Sequence, residues 1–341
     1  MKLKKTLTAA LAGSALFGAS ANAEIVLNDE ISLYGYLDVA HSDYIDLSGN
    51  ESDQQVAEFE LGMNFVTPDS PFFATMELSF KDDTSEGEIT VVDGADTPIG
   101  TGTYDQDNEL DFETAIIGYN YSDELVLSVG NILSYQGFET FDATGLYQFS
   151  YAGRDFSPFY TAGYAVGAAA DYATDDYAFG FWVGDSDGES GASYEFLAAY
   201  TGVEGLTVKG IYALDPGYET FNLWASYEYG GFTFAAEYIY SEADEDNGLF
   251  DYGVDESTGY LLMVNYAWEK AGLTFRYSVK EDERTGGLDD PEDWEVFTIS
   301  PSYMLSDKAL VLAEISAFDG SSVDTGDGEE MFYAVEFIYA F

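Results

Sequence analysis

One histidine and no cysteine limit the catalytic chemistry open to this 341-residue chain. A Ser–His hydrolase would have to use His41 as its base, and no serine is tied to that position by any motif. His41 therefore reads as a residue just past a first strand, outside any catalytic set. The absence of cysteine removes disulfides and thiolate metal ligands. Carboxylates are abundant: 64 Asp and Glu stand against 11 Lys and Arg. Paired acids occur all along the chain, so pairing does not signal acid–base catalysis. The runs Asp185-Ser-Asp187-Gly-Glu189 and Asp244-Glu-Asp246-Asn-Gly248 supply oxygen ligands, yet neither reproduces a twelve-residue Ca²⁺ loop with its closing Glu. They read as solvated acidic loops. What remains is electrostatic work, done by carboxylates that recur at alternate positions.

That alternation defines the elements. Phe59, Leu61, Met63 and Phe65 interleave with Glu58, Glu60, Gly62 and Asn64, and Phe72, Ala74, Met76, Leu78 and Phe80 with Phe73, Thr75, Glu77 and Ser79. A helical period would mix these acids into the apolar set, whereas a strand sends them to the opposite face. Sixteen such segments are expected, near 31–39, 57–65, 72–80, 112–121, 124–133, 160–170, 177–183, 194–201, 206–213, 221–229, 232–240, 260–268, 273–280, 295–305, 309–318 and 331–341. Two fit poorly. Glu314 shares a face with Leu310, Leu312 and Phe318, and Pro301 lacks the N–H that a ladder needs. A count of fourteen or eighteen stays open for that reason.

The connectors fall into two classes that alternate. Ser122-Asp123, Gly230-Gly231 and Ser306-Asp307-Lys308 are short, whereas 241–258, 281–294 and 319–330 are long, acidic and Gly-rich. A soluble sandwich has no reason to sort its connectors in this way. A transmembrane antiparallel β-barrel does, with short periplasmic turns and long acidic extracellular loops. Residues 1–23 read as a signal peptide, with Lys2, Lys4 and Lys5 before an apolar stretch and Ala21-Asn22-Ala23 at the cleavage site. Residues 24–341 then form one barrel domain. No run long enough for a spanning helix follows, so a spanning chain must close into a barrel. A net charge of −53 argues against a nucleic-acid partner, and 17% aromatic residues argue against disorder.

The final strand has Tyr333, Val335, Phe337, Tyr339 and Phe341 on one face. A terminal Phe behind alternating aromatics resembles the assembly signal of bacterial outer-membrane barrels. Ile31-Ser-Leu-Tyr-Gly-Tyr-Leu-Asp38 resembles the opening strand of Gram-negative porins. Val129-Gly-Asn-Ile-Leu-Ser-Tyr-Gln-Gly-Phe-Glu139-Thr-Phe-Asp142 is similar to the OmpL-like β-barrel porins, in which a Gly-aromatic-Glu motif follows a strand, and Ile299-Ser-Pro301-Ser-Tyr303 resembles their late strands. The resemblance implies an outer-membrane location, lipid and lipopolysaccharide around the barrel, delivery by the barrel assembly machinery, and a homotrimer as one assembly. It implies no cofactor. The chain has too few arginines for the arginine ladder of trimeric general porins.

Under the resemblance, 134–159 is the place where porins fold a loop into the lumen, an ordinary surface loop being the other reading. Its aromatics favour insertion, since a loop in water would not expose so many. The constriction is then expected from Tyr135, Phe138, Glu139, Asp142, Tyr147, Arg154 and Asp155. The pore wall is expected from Glu58, Glu60, Glu77, Glu113, Glu195, Lys209, Glu228, Glu237, Arg276 and Glu314, together with Glu336 and Lys280. Acids outnumber bases in this set, so a passive pore for small hydrophilic solutes should prefer cations. An enzyme using His41, and a barrel serving as anchor or adhesin, are the competing functions.

Overall fold

The computed structural model describes residues 24–45, 51–85, 87–92, 98–104, 109–139, 142–151, 163–185, 191–243, 254–283, 293–322 and 326–341. Sixteen strands form a ring. They are β1 Ile31–Ile45, β2 Glu51–Val66, β3 Phe72–Ser85, β4 Glu109–Asn120, β5 Leu125–Leu133, β6 Tyr164–Ala173, β7 Tyr177–Asp185 and β8 Ala192–Tyr200, followed by β9 Leu206–Asp215, β10 Tyr218–Tyr229, β11 Phe232–Ala243, β12 Glu256–Trp268, β13 Ala271–Glu283, β14 Asp293–Ser306, β15 Ala309–Ser322 and β16 Gly326–Ala340. Each pairs antiparallel with its sequence neighbours, and β16 closes on β1 through Val335↔His41 and Tyr339↔Leu37. The short strand Ile25–Val26 adds to β1, and Gly87–Val92 pairs with Pro98–Tyr104 in a separate hairpin.

The two faces of each strand separate as the alternation requires. Leu37, Phe59, Leu262, Phe275, Phe297, Tyr333, Phe337 and Tyr339 are exposed on the outside, while Asp38, Glu60, Arg276, Glu314 and Glu336 are buried inside. Rings gather near the short turns, with Phe232 against Tyr266 at 4.3 Å, Tyr177 against Tyr200 at 5.3 Å, and Phe59 against Phe341 at 6.2 Å. Such a girdle suits the boundary between hydrocarbon and water. Gly230 and Gly231 both have positive φ, 58° and 88°, as a two-residue turn of the primed type requires.

Strand length and connector sorting need correction, whereas the strand expected through Pro301 forms. The strands outrun their apolar alternation at the long-loop end, so β15 and β16 stay paired out to Ser322↔Gly326 and take up much of the expected loop 319–330. Backbone pairing continues there without lipid, and the period of two in hydrophobicity disappears with the lipid. The connector sorting is not strict, since at that same end only Pro216 and Gly217 join β9 to β10 and only 323–325 join β15 to β16. Pro301 does not end β14. The ladder to β15 omits Ser300 and Pro301 and resumes in the same register, while pairing to β13 continues through Leu273↔Pro301.

His41 also moves. It lies within β1 on the outer face, half exposed and 3.5 Å from the Asp43 carboxylate, instead of just past the strand. The acidic runs at 185–189 and 244–248 fall outside the described residues except Asp185, as does 1–23.

Candidate functional site

The chain leaves β5 at Leu133 and turns into the barrel. Gly137 has φ +97°, a conformation open to glycine and strained for side chains with a Cβ. Around this turn, inward side chains of the wall take hold of the loop backbone. Tyr135 N–H donates to Glu195 at 2.7 Å, Gly137 N–H to Asn222 at 3.1 Å, and Phe138 N–H to Glu237 at 3.0 Å. Asn222 Nδ2 also donates to Glu237 at 2.7 Å, so the wall is cross-linked to itself beneath the loop. Further on, Ser150 N–H donates to Glu314 at 2.7 Å and its hydroxyl donates to the same carboxylate.

Aromatic packing seats the loop between these tethers. Phe138, Leu146, Tyr147 and Tyr151 join inward Ala178, Leu197, Ile211, Trp224, Ile239 and Leu261 in one buried cluster, with Phe138 edge-on to Trp224 at 5.6 Å. Phe149 stacks on Phe332 at 5.9 Å. Ala143 and Phe149 pack on Leu310, Leu312, Ile338 and Tyr36. This explains the mixed face of β15, whose inward leucines form a floor for the loop. Burying each large side chain stabilises the inserted loop by about 1.5–3 kcal/mol.

At the centre of the tethered side, Arg276 Nη1 donates to Glu139 at 2.9 Å and to the Ser150 carbonyl at 2.8 Å. Its Nη2 donates to Ser150 Oγ at 2.7 Å and Thr298 Oγ1 at 3.2 Å. Gln148 Nε2 donates to the same Glu139 oxygen at 2.7 Å. The Arg276 and Glu139 side chains are 0% and 2% exposed, so the pair is shielded from solvent. The Gly-aromatic-Glu run thus has three separate jobs: Gly137 turns the chain, Phe138 fills the wall pocket, and Glu139 meets Arg276.

The opposite side of the lumen, on β1–β4, is arranged differently. Glu58, Glu77 and Glu113 are half-buried, and Glu60 is fully buried beside them. Tyr36 donates to Glu58 at 2.9 Å, and Tyr34 donates to Glu77. Glu113 reaches this face through a bulge. Met76 pairs with Ala115 and Leu78 with Phe112, so Glu113 and Thr114 together oppose Glu77. Phe112 and Ala115 both point outward, and the extra residue turns Glu113 to the lumen. Asp142, just before a single 3₁₀ turn at Ala143–Gly145, lies within the influence of this wall. Burial first, then the carboxylates of Glu77, Glu113 and Glu58, push its carboxyl from an ordinary 3.8 up to about 7. Tyr135, at the loop's root, donates to Asp171 at 2.6 Å, and burial together with that carboxylate raises its phenol above the ordinary value.

The inward set expected from the sequence therefore divides. Glu195, Glu237, Glu314 and Arg276 face inward but lie under the loop as its anchors, because their oxygens and nitrogens satisfy loop groups that would otherwise be orphaned. Lys209 is covered as well, 4.8 Å over the Trp224 ring. Lys280 is buried against Asp282 at 2.8 Å. Glu228 sits on the inward parity of β10 but is exposed at the short turn. Tyr147 is buried, and its carbonyl accepts from Thr274 at 3.0 Å. Arg154 and Asp155 lie outside the described residues. The anchors Asn222, Thr274, Gln148 and Ser150 were missed by counting charges alone. Uncharged polar residues at inward parity were the available signal.

Comparison with solved structures places the fold among outer-membrane barrels. OmpF of Salmonella typhi, solved in complex with daunomycin, aligns with a TM-score of 0.67 at 13% identity, covering 93% of this chain and 100% of OmpF. An anion-selective porin from Comamonas acidovorans aligns at 0.64 and 12% identity over 91% of this chain and 99% of its own. The trimer form of OmpT, an outer membrane protein of Vibrio cholerae, aligns at 0.63 and 14% identity over 92% and 100%. No family model and no curated protein sequence matches the chain. The chain is an all-β, closed, 16-stranded antiparallel barrel with the fold of outer-membrane porins.

Proposed function

We propose that the protein is an outer-membrane diffusion channel for small hydrophilic solutes that favours cations over anions. On this reading it is exported by residues 1–23, assembled through its aromatic C-terminal strand, and related to the OmpL-like porins through the motif around Gly137. The observation that carries the proposal is the distribution of charge in the lumen. Arg276 and Lys209 are covered by the loop side and Lys280 is buried against Asp282, whereas Glu58, Glu77, Glu113 and Asp142 keep solvent exposure on the other side. A passing ion therefore meets carboxylates that outnumber Lys81, the half-buried base opposite Glu58 on the same wall. The Debye length is about 8 Å at physiological ionic strength, comparable with a narrow lumen, so the wall field reaches an ion on the axis. Low-dielectric walls focus it further. The outward position of His41 speaks against catalysis in the lumen.

Planar-bilayer reconstitution tests this reading. Stepwise conductance with a cation-selective reversal potential across a KCl gradient is expected. Glu77→Gln with Asp142→Asn should lower the permeability ratio several-fold, while Glu237→Gln, which still accepts the Phe138 amide, should leave ion choice unchanged. A barrel that inserts without conducting, or conducts anions preferentially, overturns it.

A further inference from the structure

We infer that the β2–β4 wall holds a divalent-cation site made by Glu58, Glu60 and Glu113. One carboxylate oxygen from each lies within 4.8 Å of the other two. Ca²⁺ takes oxygen ligands at about 2.3–2.6 Å, so oxygens in one coordination sphere stand no more than about 5 Å apart. Mg²⁺, with bonds near 2.0–2.1 Å, suits a tighter set. Strand geometry explains how the three meet. Glu58 and Glu60 share one face of β2, and β4 is two strand spacings away, about 10 Å. The long Glu side chains span that gap only because the bulge opposite Glu77 aims Glu113 at the lumen.

Proximity of acids does not by itself make a site. The second observation is Glu60, which is 3% exposed, with its Oε2 accepting no hydrogen bond. A buried carboxylate oxygen with no donor is costly to keep charged unless a proton or a cation answers it. The Glu58 carboxylate accepts the Tyr36 hydroxyl and, at 3.4 Å, the Ser79 hydroxyl. These hydroxyls orient Glu58 without neutralising it. Three fixed cations of the lumen are engaged elsewhere: Arg276 with Glu139, Lys280 with Asp282, and Lys209 over Trp224. Lys81 stands directly opposite Glu58 in the ladder on the same inward face, where it offsets part of the charge of that one carboxylate and leaves Glu60 and Glu113. Glu77 and Asp142 face the same space and add outer-sphere charge, and Asp38 lies beside Glu58 in the ladder. Three hard oxygen donors on one sheet, with Glu58 and Glu113 partly open to solvent, suit Ca²⁺ with several waters retained.

The inference does not require the barrel to conduct, so binding is measured without a membrane. Calorimetric titration of CaCl₂ into the refolded mature barrel, in zwitterionic detergent at neutral pH and moderate KCl, should resolve one saturable site. An affinity of about 10⁻⁴ M is expected, in the range of extracellular Ca²⁺ sites. Diffuse binding to so acidic a chain is weak and unsaturated, and it serves as the background. Glu60→Gln should weaken the saturable component by about tenfold or more, since ligand charge sets affinity. Glu228→Gln, which removes an exposed carboxylate at a short turn, should leave it intact. Heat-modifiable migration certifies folding, and Glu113→Gln replaces Glu60→Gln if the latter fails to fold. No saturable site in the wild type, or an unchanged site in a folded variant, overturns the inference.

Discussion

The two sides of the lumen use the same residue type for different ends. On β8, β11 and β15 the carboxylates of Glu195, Glu237 and Glu314 accept loop N–H groups, and Glu139 is matched by Arg276. On β2–β4, Glu58, Glu60, Glu77 and Glu113 face one another and Asp142, and hydroxyls of their own wall donate to them, Tyr36 and Ser79 to Glu58 and Tyr34 to Glu77. The first side is a set of fasteners, and the second is a source of field. An inward carboxylate is thus ambiguous until its partner is known. A partner from the loop removes it from the channel, and a partner from its own wall leaves it there.

Removing Arg276 breaks the comparison most severely. Arg276→Ala would leave the Glu139 carboxylate buried without its cation and detach Ser150, and losing one member of a buried pair costs about 3–5 kcal/mol. The unfolding midpoint in denaturant, followed by heat-modifiable migration, should fall accordingly. A midpoint within error of the wild type would mean that the loop is held by its aromatics alone. One position away, Phe275 sits on the lipid side, 38% exposed against 0% for Arg276. Phe275→Lys should cost about 2–4 kcal/mol by placing a charge in hydrocarbon. If it were neutral while Arg276→Ala was costly, the outer face at that height would be in water.

These neighbours also show what sequence could and could not reveal. Phe275 and Arg276 separate by parity alone, which is why all sixteen strands were legible, including the Tyr333 to Phe341 face. Parity is a local property that every strand carries. The partnership of Arg276 with Glu139 joins residues 137 positions apart and depends on a loop path that no period encodes. The aromatics of 134–151 signalled that the loop must pack on something, but not on which wall. The bulge at Glu113 was hidden for a related reason: an extra residue shifts parity only in relation to the partner strand. Strand ends were misjudged where pairing continues past the lipid and the hydrophobic signal stops, as at Ser322↔Gly326.

The smallest expected effect is a pH dependence confined to the field side. Asp142 has its carboxyl pushed up to about 7, first by burial and then by Glu77, Glu113 and Glu58. A raised carboxyl means that the fold favours the protonated form. The associated stability is present below the ordinary value of 3.8 and lost as pH rises through about 7. For ion choice the direction is opposite, because ionisation adds one negative charge facing the acidic wall. The cation-to-anion permeability ratio should therefore rise between about pH 6 and pH 8, centred near the Asp142 midpoint. Asp142→Asn should flatten that step and hold the ratio near its low-pH value, while Glu139→Gln, which changes a group already matched by Arg276, should keep the step. Reversal potentials at a series of pH values separate the two variants. A step that survives Asp142→Asn would transfer the titration to the wall carboxylates themselves. A step lost in Glu139→Gln would mean that the tethered side also faces the passing ion, and the division between the two sides of the lumen would fall.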